Sequence, residues 1–151
     1  MKQKLFVWII CTMMLMLSVP VMASEPQSGS ITADIHTSNG TKVPGGTLTA
    51  YKVAEAKDNK YQYVEAFTGC TVDLSQIGKG KTGEPELSKA LAAYASNKGL
   101  KGTTVTIDNN GRATFPNLEL GYYLIVQETP AKGYYKIAPF SVTVQIGRAH
   151  V

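Results

Sequence analysis

The densest alternation of apolar and polar positions lies between Gly121 and Phe140, GYYLIVQETPAKGYYKIAPF. Tyr123, Ile125 and Gln127 alternate with Tyr122, Leu124, Val126 and Glu128, the period of two that belongs to a β-strand. Both faces are largely apolar, so the strand is expected at the centre of its sheet. Thr129-Pro130-Ala131-Lys132-Gly133 breaks the ladder, and Tyr134 to Val144 reads as the strand that returns. A buried strand, a Pro/Gly turn and a return strand predict an all-β sandwich.

Weaker patterns surround this stretch. Ser30 to His36 alternates, with Ile31, Ala33 and Ile35 on one face, and ends in the turn residues Thr37-Ser38-Asn39-Gly40. Pro44-Gly45-Gly46 leads into a strand from Thr47 to Ala54, and the charged turn Lys57-Asp58-Asn59-Lys60 joins it as a hairpin to Tyr61-Gln62-Tyr63-Val64. Thr68 to Gly83 reads as a loop anchored by Val72, Leu74 and Ile77. Glu84 to Lys98 is the single predicted helix: Leu87, Ala90, Leu91, Tyr94 and Ala95 form one apolar stripe, Pro85 suits the first turn and Gly99 stops it. Its narrow stripe suits a lid on a sheet edge or open end better than a binding groove. Thr103 to Ile107, Asp108-Asn109-Asn110-Gly111 and Arg112 to Phe115 read as the clearest hairpin in the chain.

Both ends of the chain stand apart from this pattern. Met1-Lys2-Gln3-Lys4, the apolar run Leu5 to Leu17, and Val21-Met22-Ala23 form a signal peptide over 1–23, with cleavage after Ala23 leaving Ser24 first. A bilayer span needs about 20 apolar residues, and Ser18 and Pro20 interrupt this run. Residues 24–29 are a polar lead-in and 30–145 the domain. Ile146-Gly147-Arg148-Ala149-His150-Val151 is what ATC GGA AGA GCA CAC GTC encodes, the start of a common sequencing adapter. The native reading is therefore expected to stop at or near Gln145, and independent DNA from the locus decides it.

Charge and chemistry change the picture little. Of 15 basic residues, removing Lys2, Lys4 and Arg148 leaves 12 against 11 acidic ones, a net +1, which gives no ground for nucleic-acid binding. Lys79 and Lys81 sit among glycines as a solvated loop. Cys11 leaves with the signal, so Cys70 has no partner for an internal disulfide and reads as a small half-buried loop residue. His36 is the only histidine between the two ends, too few for a multi-histidine metal site. Hydrolytic triads need a base beside a nucleophile, and these scattered groups offer none, so neither enzymatic activity nor a cofactor is expected.

The central stretch, with Gly29-Ser30-Ile31, Val43-Pro44-Gly45-Gly46-Thr47-Leu48 and Phe115-Pro116-Asn117-Leu118, resembles the Cna B-type, prealbumin-like domains of Gram-positive surface proteins. It is similar to the N-terminal domains of sortase-assembled, SpaA-like backbone pilins. The resemblance implies an antiparallel β-sandwich with one inserted helix, in a structural subunit at the cell wall. It implies other pilin subunits, a class C sortase and, through a region beyond this sequence, peptidoglycan as partners, with no nucleic acid and no membrane after signal cleavage.

Such domains often join a first-strand lysine to a last-strand asparagine through an isopeptide bond beside a buried acid. Aligned on Gly29-Ser30, the lysine position holds Ile35; aligned on Gly121 and Gly133-Tyr134, the acid position holds Gln127, with Glu128 on the other face. The bond is therefore expected to be missing. An adhesin module is the alternative, with Tyr122, Tyr123, Tyr134 and Tyr135 as an aromatic platform; a secreted hydrolase is the remote one.

Overall fold

The computed structural model describes residues 27–78 and 84–145, with the backbone alone at 148–150. Val21, Ala23, Ser24, Lys79, Lys81 and the side chains of 146–151 lie outside the described residues. Among the described residues eight strands and one helix run in the order β1 (Ser28–Asp34), β2 (Thr47–Lys57), β3 (Lys60–Tyr63), α1 (Glu84–Lys98), β4 (Thr103–Thr106), β5 (Arg112–Glu119), β6 (Gly121–Thr129), β7 (Phe140–Gln145) and β8 (Arg148–His150). Short 3-10 turns at Glu65–Phe67 and Leu74–Gln76 lie between β3 and α1.

Two sheets stack, all pairings antiparallel. β1 pairs β5, while β3, β2, β6, β7 and β8 form the larger sheet in that order, with β4 also on β2. The central position of β6 follows from its sequence: Leu48 faces Gln127 and Ala50 faces Ile125 on one side, while Val142 faces Tyr123 on the other. Between the sheets Tyr123 and Ile125 meet Ile31, Leu48, Phe115 and Val142. On the outer face of the larger sheet Tyr122 and Leu124 meet Val53, Phe67, Leu87 and Leu91. The helix is therefore a third layer, and that is why both faces of β6 are apolar.

Several sequence expectations need correction. The helix occupies the predicted span, but it lies across a sheet face, not over an edge or open end, and Ser88 is buried where Ala90 is exposed. Its end forms a Schellman motif: Leu100 N donates to Ala95 O at 3.0 Å, Gly99 N donates to Ser96 O at 3.1 Å, and Gly99 takes φ of 63°. The Asp58-Asn59 hairpin is present, with both residues at positive φ. The expected hairpin around Asp108–Gly111 is not. Its turn is real, since Asp108 Oδ1 accepts from Asn110 N and Arg112 N at 2.8 and 2.9 Å. However, β4 pairs with β2 and β5 with β1, so the turn carries the chain from one sheet to the other.

The return strand starts late, at Phe140. Residues 134–139 run as irregular chain, because Ile137 N is taken by the Gln127 side chain at 2.8 Å and Pro139 has no N–H to give a ladder. In β5, Pro116 and Asn117 fall where the β1 register shifts between Gly29 and Ile31, and Asn117 takes φ of 53°. That is a bulge on a two-stranded sheet, a place that tolerates proline.

Candidate functional site

Ile35 and Gln127, the two positions singled out in the sequence, lie around the core between the sheets. Gln127 shares the inner face of β6 with Tyr123 and Ile125 and is buried. Its Oε1 accepts from Ile137 N, so the side chain works as a latch on the loop after β6. Ile35 follows β1 directly; its N donates to Gly111 O at 2.7 Å, its O accepts from Val43 N at 2.9 Å, and its side chain packs on the same core. Of these two positions singled out in the sequence, one thus carries a neutral amide and the other an aliphatic chain, and both border the same core. Glu128 lies on the opposite, helix-facing side and accepts from Tyr51 Oη at 3.1 Å.

Lys52 on β2 is partly buried, its side chain 20% exposed. Its Nζ lies 2.5 Å from Glu55 Oε1 and 2.6 Å from Glu119 Oε2. Burial works to lower its pKa, but hydrogen bonds to the Glu119 and Glu55 carboxylates outweigh that and the net shift is upward. The ammonium is thus held charged, the reverse of what attack on an amide needs. Glu119 is shifted down by its bond to Lys52.

These shifts set a pH window. A carboxylate with a depressed folded pKa contributes stability above its unfolded pKa and loses it as pH falls; a lysine with a raised one contributes below its unfolded pKa and loses it as pH rises. Lys52→Met is expected to cost under about 1 kcal/mol near neutrality, since both carboxylates are solvent-exposed. The gap between wild type and variant in urea denaturation should close as pH falls through the carboxylate range.

The four candidate platform tyrosines separate. Tyr122 and Tyr123 are buried on opposite faces of β6, whereas Tyr134 is 46% and Tyr135 98% exposed on the loop to β7. Tyr123 Oη donates to Glu119 O at 2.8 Å. Tyr122 Oη is buried with no hydrogen-bond partner among the described residues. The Ser141 hydroxyl lies beside it and works to lower its pKa against the larger raising effect of burial. However, Ser141 Oγ is already paired with Ser88 Oγ at 2.7 Å, which leaves the tyrosine hydroxyl unsatisfied. Tyr122→Phe is then expected to be neutral or to stabilise by up to about 1 kcal/mol in thermal denaturation. A loss of that size would instead reveal a bonded hydroxyl.

Cys70 is more buried than its loop position suggested, packed with Phe67 and Leu91 beneath the helix. The neighbouring Tyr63 hydroxyl donates to Val72 O at 2.5 Å, and its pKa is pushed up by burial and then by Cys70. Sequence reasoning missed Phe67, whose ring centroid lies 6.4 Å from Tyr63 and 5.6 Å from Tyr94. A lone aromatic in a short polar stretch carries no periodic signal. A groove of about 810 Å³ runs between β3 and residues 72–77, walled by Tyr61, Tyr63, Val72, Leu74 and Ile77. Among the described residues no three His, Cys, Asp or Glu side chains are grouped to hold a metal, and no helix is long and apolar enough to cross a membrane.

Comparison with known proteins places this geometry. No curated protein matches the chain. The T6 backbone pilin of serotype M6 Streptococcus pyogenes shares the fold at a TM-score of 0.56 and 19% identity, over 83% of this chain and 25% of that one. The major pilin SpaD of Corynebacterium diphtheriae aligns at a TM-score of 0.49 and 20% identity, over 83% of this chain and 27% of its own. The chain thus spans about a quarter of the length of these pilins. Residues 30–150 match the family model described as the SpaA prealbumin-like fold domain. The two stacked antiparallel sheets and that match agree, and the chain belongs to the SpaA prealbumin-like fold domain family.

Proposed function

We propose that this chain is the N-terminal domain of a structural subunit of a cell-wall-anchored pilus, exported by the signal peptide 1–23 and polymerised by a class C sortase. The observation that carries this reading is the family match across residues 30–150. Other pilin subunits are its neighbours, and peptidoglycan is reached through downstream sequence. Its work is mechanical, not catalytic. The direct test is to express the complete gene with and without its sortase in a Gram-positive host and examine wall extracts on denaturing gels. A ladder of heat-resistant multimers that needs the sortase supports the reading; a single monomeric band in both sinks it.

Within that role the domain is held by non-covalent packing alone. Ile35 and Gln127 support this, as does β7, FSVTVQ, which contains no asparagine. Intact-mass measurement is expected to give the unmodified polypeptide mass, and a deficit of one ammonia would contradict it.

A second reading, an adhesin module, is favoured by one observation: Tyr135 stands 98% exposed between Lys132 and Lys136. Side chains of this kind are common at recognition surfaces. Glycan-array and collagen binding by the purified protein, with Tyr135→Ala as control, separates this reading from a purely structural one.

A further inference from the structure

The chain contains two Asn-Gly pairs, Asn39-Gly40 and Asn110-Gly111, and the fold treats them oppositely. Asn39 lies in the exposed turn closed by the His36–Lys42 bridge. Its Oδ1 accepts from Thr41 N at 3.3 Å and Thr41 Oγ1 at 3.0 Å, and also from Thr37 Oγ1. Donors aimed at a carbonyl oxygen stabilise the negative charge that grows there when a nucleophile adds to its carbon. The bond from Thr41 N makes an Asx turn, which folds the Asn39 side-chain carbonyl back over the intervening Gly40 peptide nitrogen. A Cβ at Gly40 would meet nothing within 4 Å, so nothing beyond its chain neighbours crowds the glycine on that side. Only the bond from Gly40 N to Thr37 O, at 2.9 Å, opposes it on the glycine side.

Gly111 is clamped instead. Its N donates to Asp108 O at 3.0 Å, much as Gly40 N does to Thr37 O, but its O is held as well, accepting from Ile35 N at 2.7 Å. A Cβ there would lie 2.6 Å from Ile35 O and 3.1 Å from Val43 N. Asn110 is held through its main-chain N, which donates to Asp108 Oδ1, and its side-chain amide receives no hydrogen bond among the described residues.

We propose that Asn39 is a site of self-modification, at which the folded turn promotes conversion of the asparagine to aspartate and isoaspartate. Water takes the proton from Gly40 N, the Gly40 N–Cγ bond forms, and the Cγ–Nδ2 bond breaks as ammonia leaves with a proton. The resulting succinimide adds one water. Opening at Cγ restores the Gly40 peptide and leaves aspartate; opening at the main-chain carbonyl leaves isoaspartate. Aspartate keeps an acceptor for both threonines, so the turn survives with one added negative charge. Isoaspartate routes the chain through Cβ, lengthens the main chain by one carbon, and pulls on the His36–Lys42 bridge.

The test is to incubate the purified protein in mildly alkaline buffer and quantify both sites by peptide mass and chromatography, beside the same chain in urea. Conversion at Asn39 is expected to outpace Asn110 by on the order of tenfold in the folded protein. In urea the two should converge. Thr41→Val, which removes one donor, should slow Asn39 severalfold with an unchanged melting curve. Asn39→Asp should match the mass and fold of the converted protein. Equal folded rates at the two sites, a faster Asn110, or a Thr41→Val protein that converts like wild type each overturn the proposal.

Discussion

Gly46→Ala is expected to lower folding stability by about 4 kcal/mol, with a fall in Tm of more than about 10 °C. Two effects combine. Gly46 takes φ of 83°, where an L side chain is strained, and a Cβ there would lie 2.4 Å from Thr129 O and 3.0 Å from Ala131 N. Those neighbours are backbone at the end of β6, so no side chain can swing aside. Gly46 O also accepts from Ile107 N at 3.0 Å, which ties the entry of β2 to the exit of β4. Gly40 supplies the comparison, because its φ of 85° is nearly the same but open space surrounds it. Gly40→Ala should therefore cost only about 1 kcal/mol. Urea denaturation of both variants separates strain from crowding, and equal losses would show that packing at Gly46 contributes nothing.

Phe67→Ala is expected to cost about 4 kcal/mol, the range for deleting a buried aromatic side chain. Phe67 is 1% exposed and packs with Val53, Leu87 and Leu91 at the seam where the helix meets the larger sheet. Its loss would open a cavity under the helix and remove the ring between Tyr63 and Tyr94. Ala90→Gly, on the exposed face of the same helix, should cost about 1 kcal/mol by propensity alone. Equilibrium denaturation of the two tests whether the segment before the helix is part of the core or only a loop. A loss at Phe67 no larger than at Ala90 would make it a loop.

The family resemblance was legible because its signals are local and periodic. The alternation of β6, the Asp58-Asn59 hairpin and the Pro85-to-Gly99 helix are each specified by residues close in sequence. The chemical character of Ile35 and Gln127 could likewise be read directly, since an alkyl chain and an amide cannot do the work of a lysine and an acid. Less could be inferred about what those residues do instead. Nothing near Gln127 in sequence announces that its amide would latch Ile137 and keep residues 134–139 out of the sheet.

Sequence alone determined the strand-rich class, the Glu84–Lys98 helix with its boundaries, and the central place of the Gly121 to Thr129 strand. Tertiary structure alone decided that the chain crosses between sheets at Asp108–Gly111, that the helix covers a face, and that Phe67 and Cys70 belong to the core. The physical reason is range. Turn chemistry and alternation are satisfied within a few residues, and they say where a strand bends and which side is apolar. Which strand it then pairs with depends on burying those sides together across the whole chain. At Thr103 to Thr106, mostly exposed threonines offer no local preference, and the long β2 strand provides the partner.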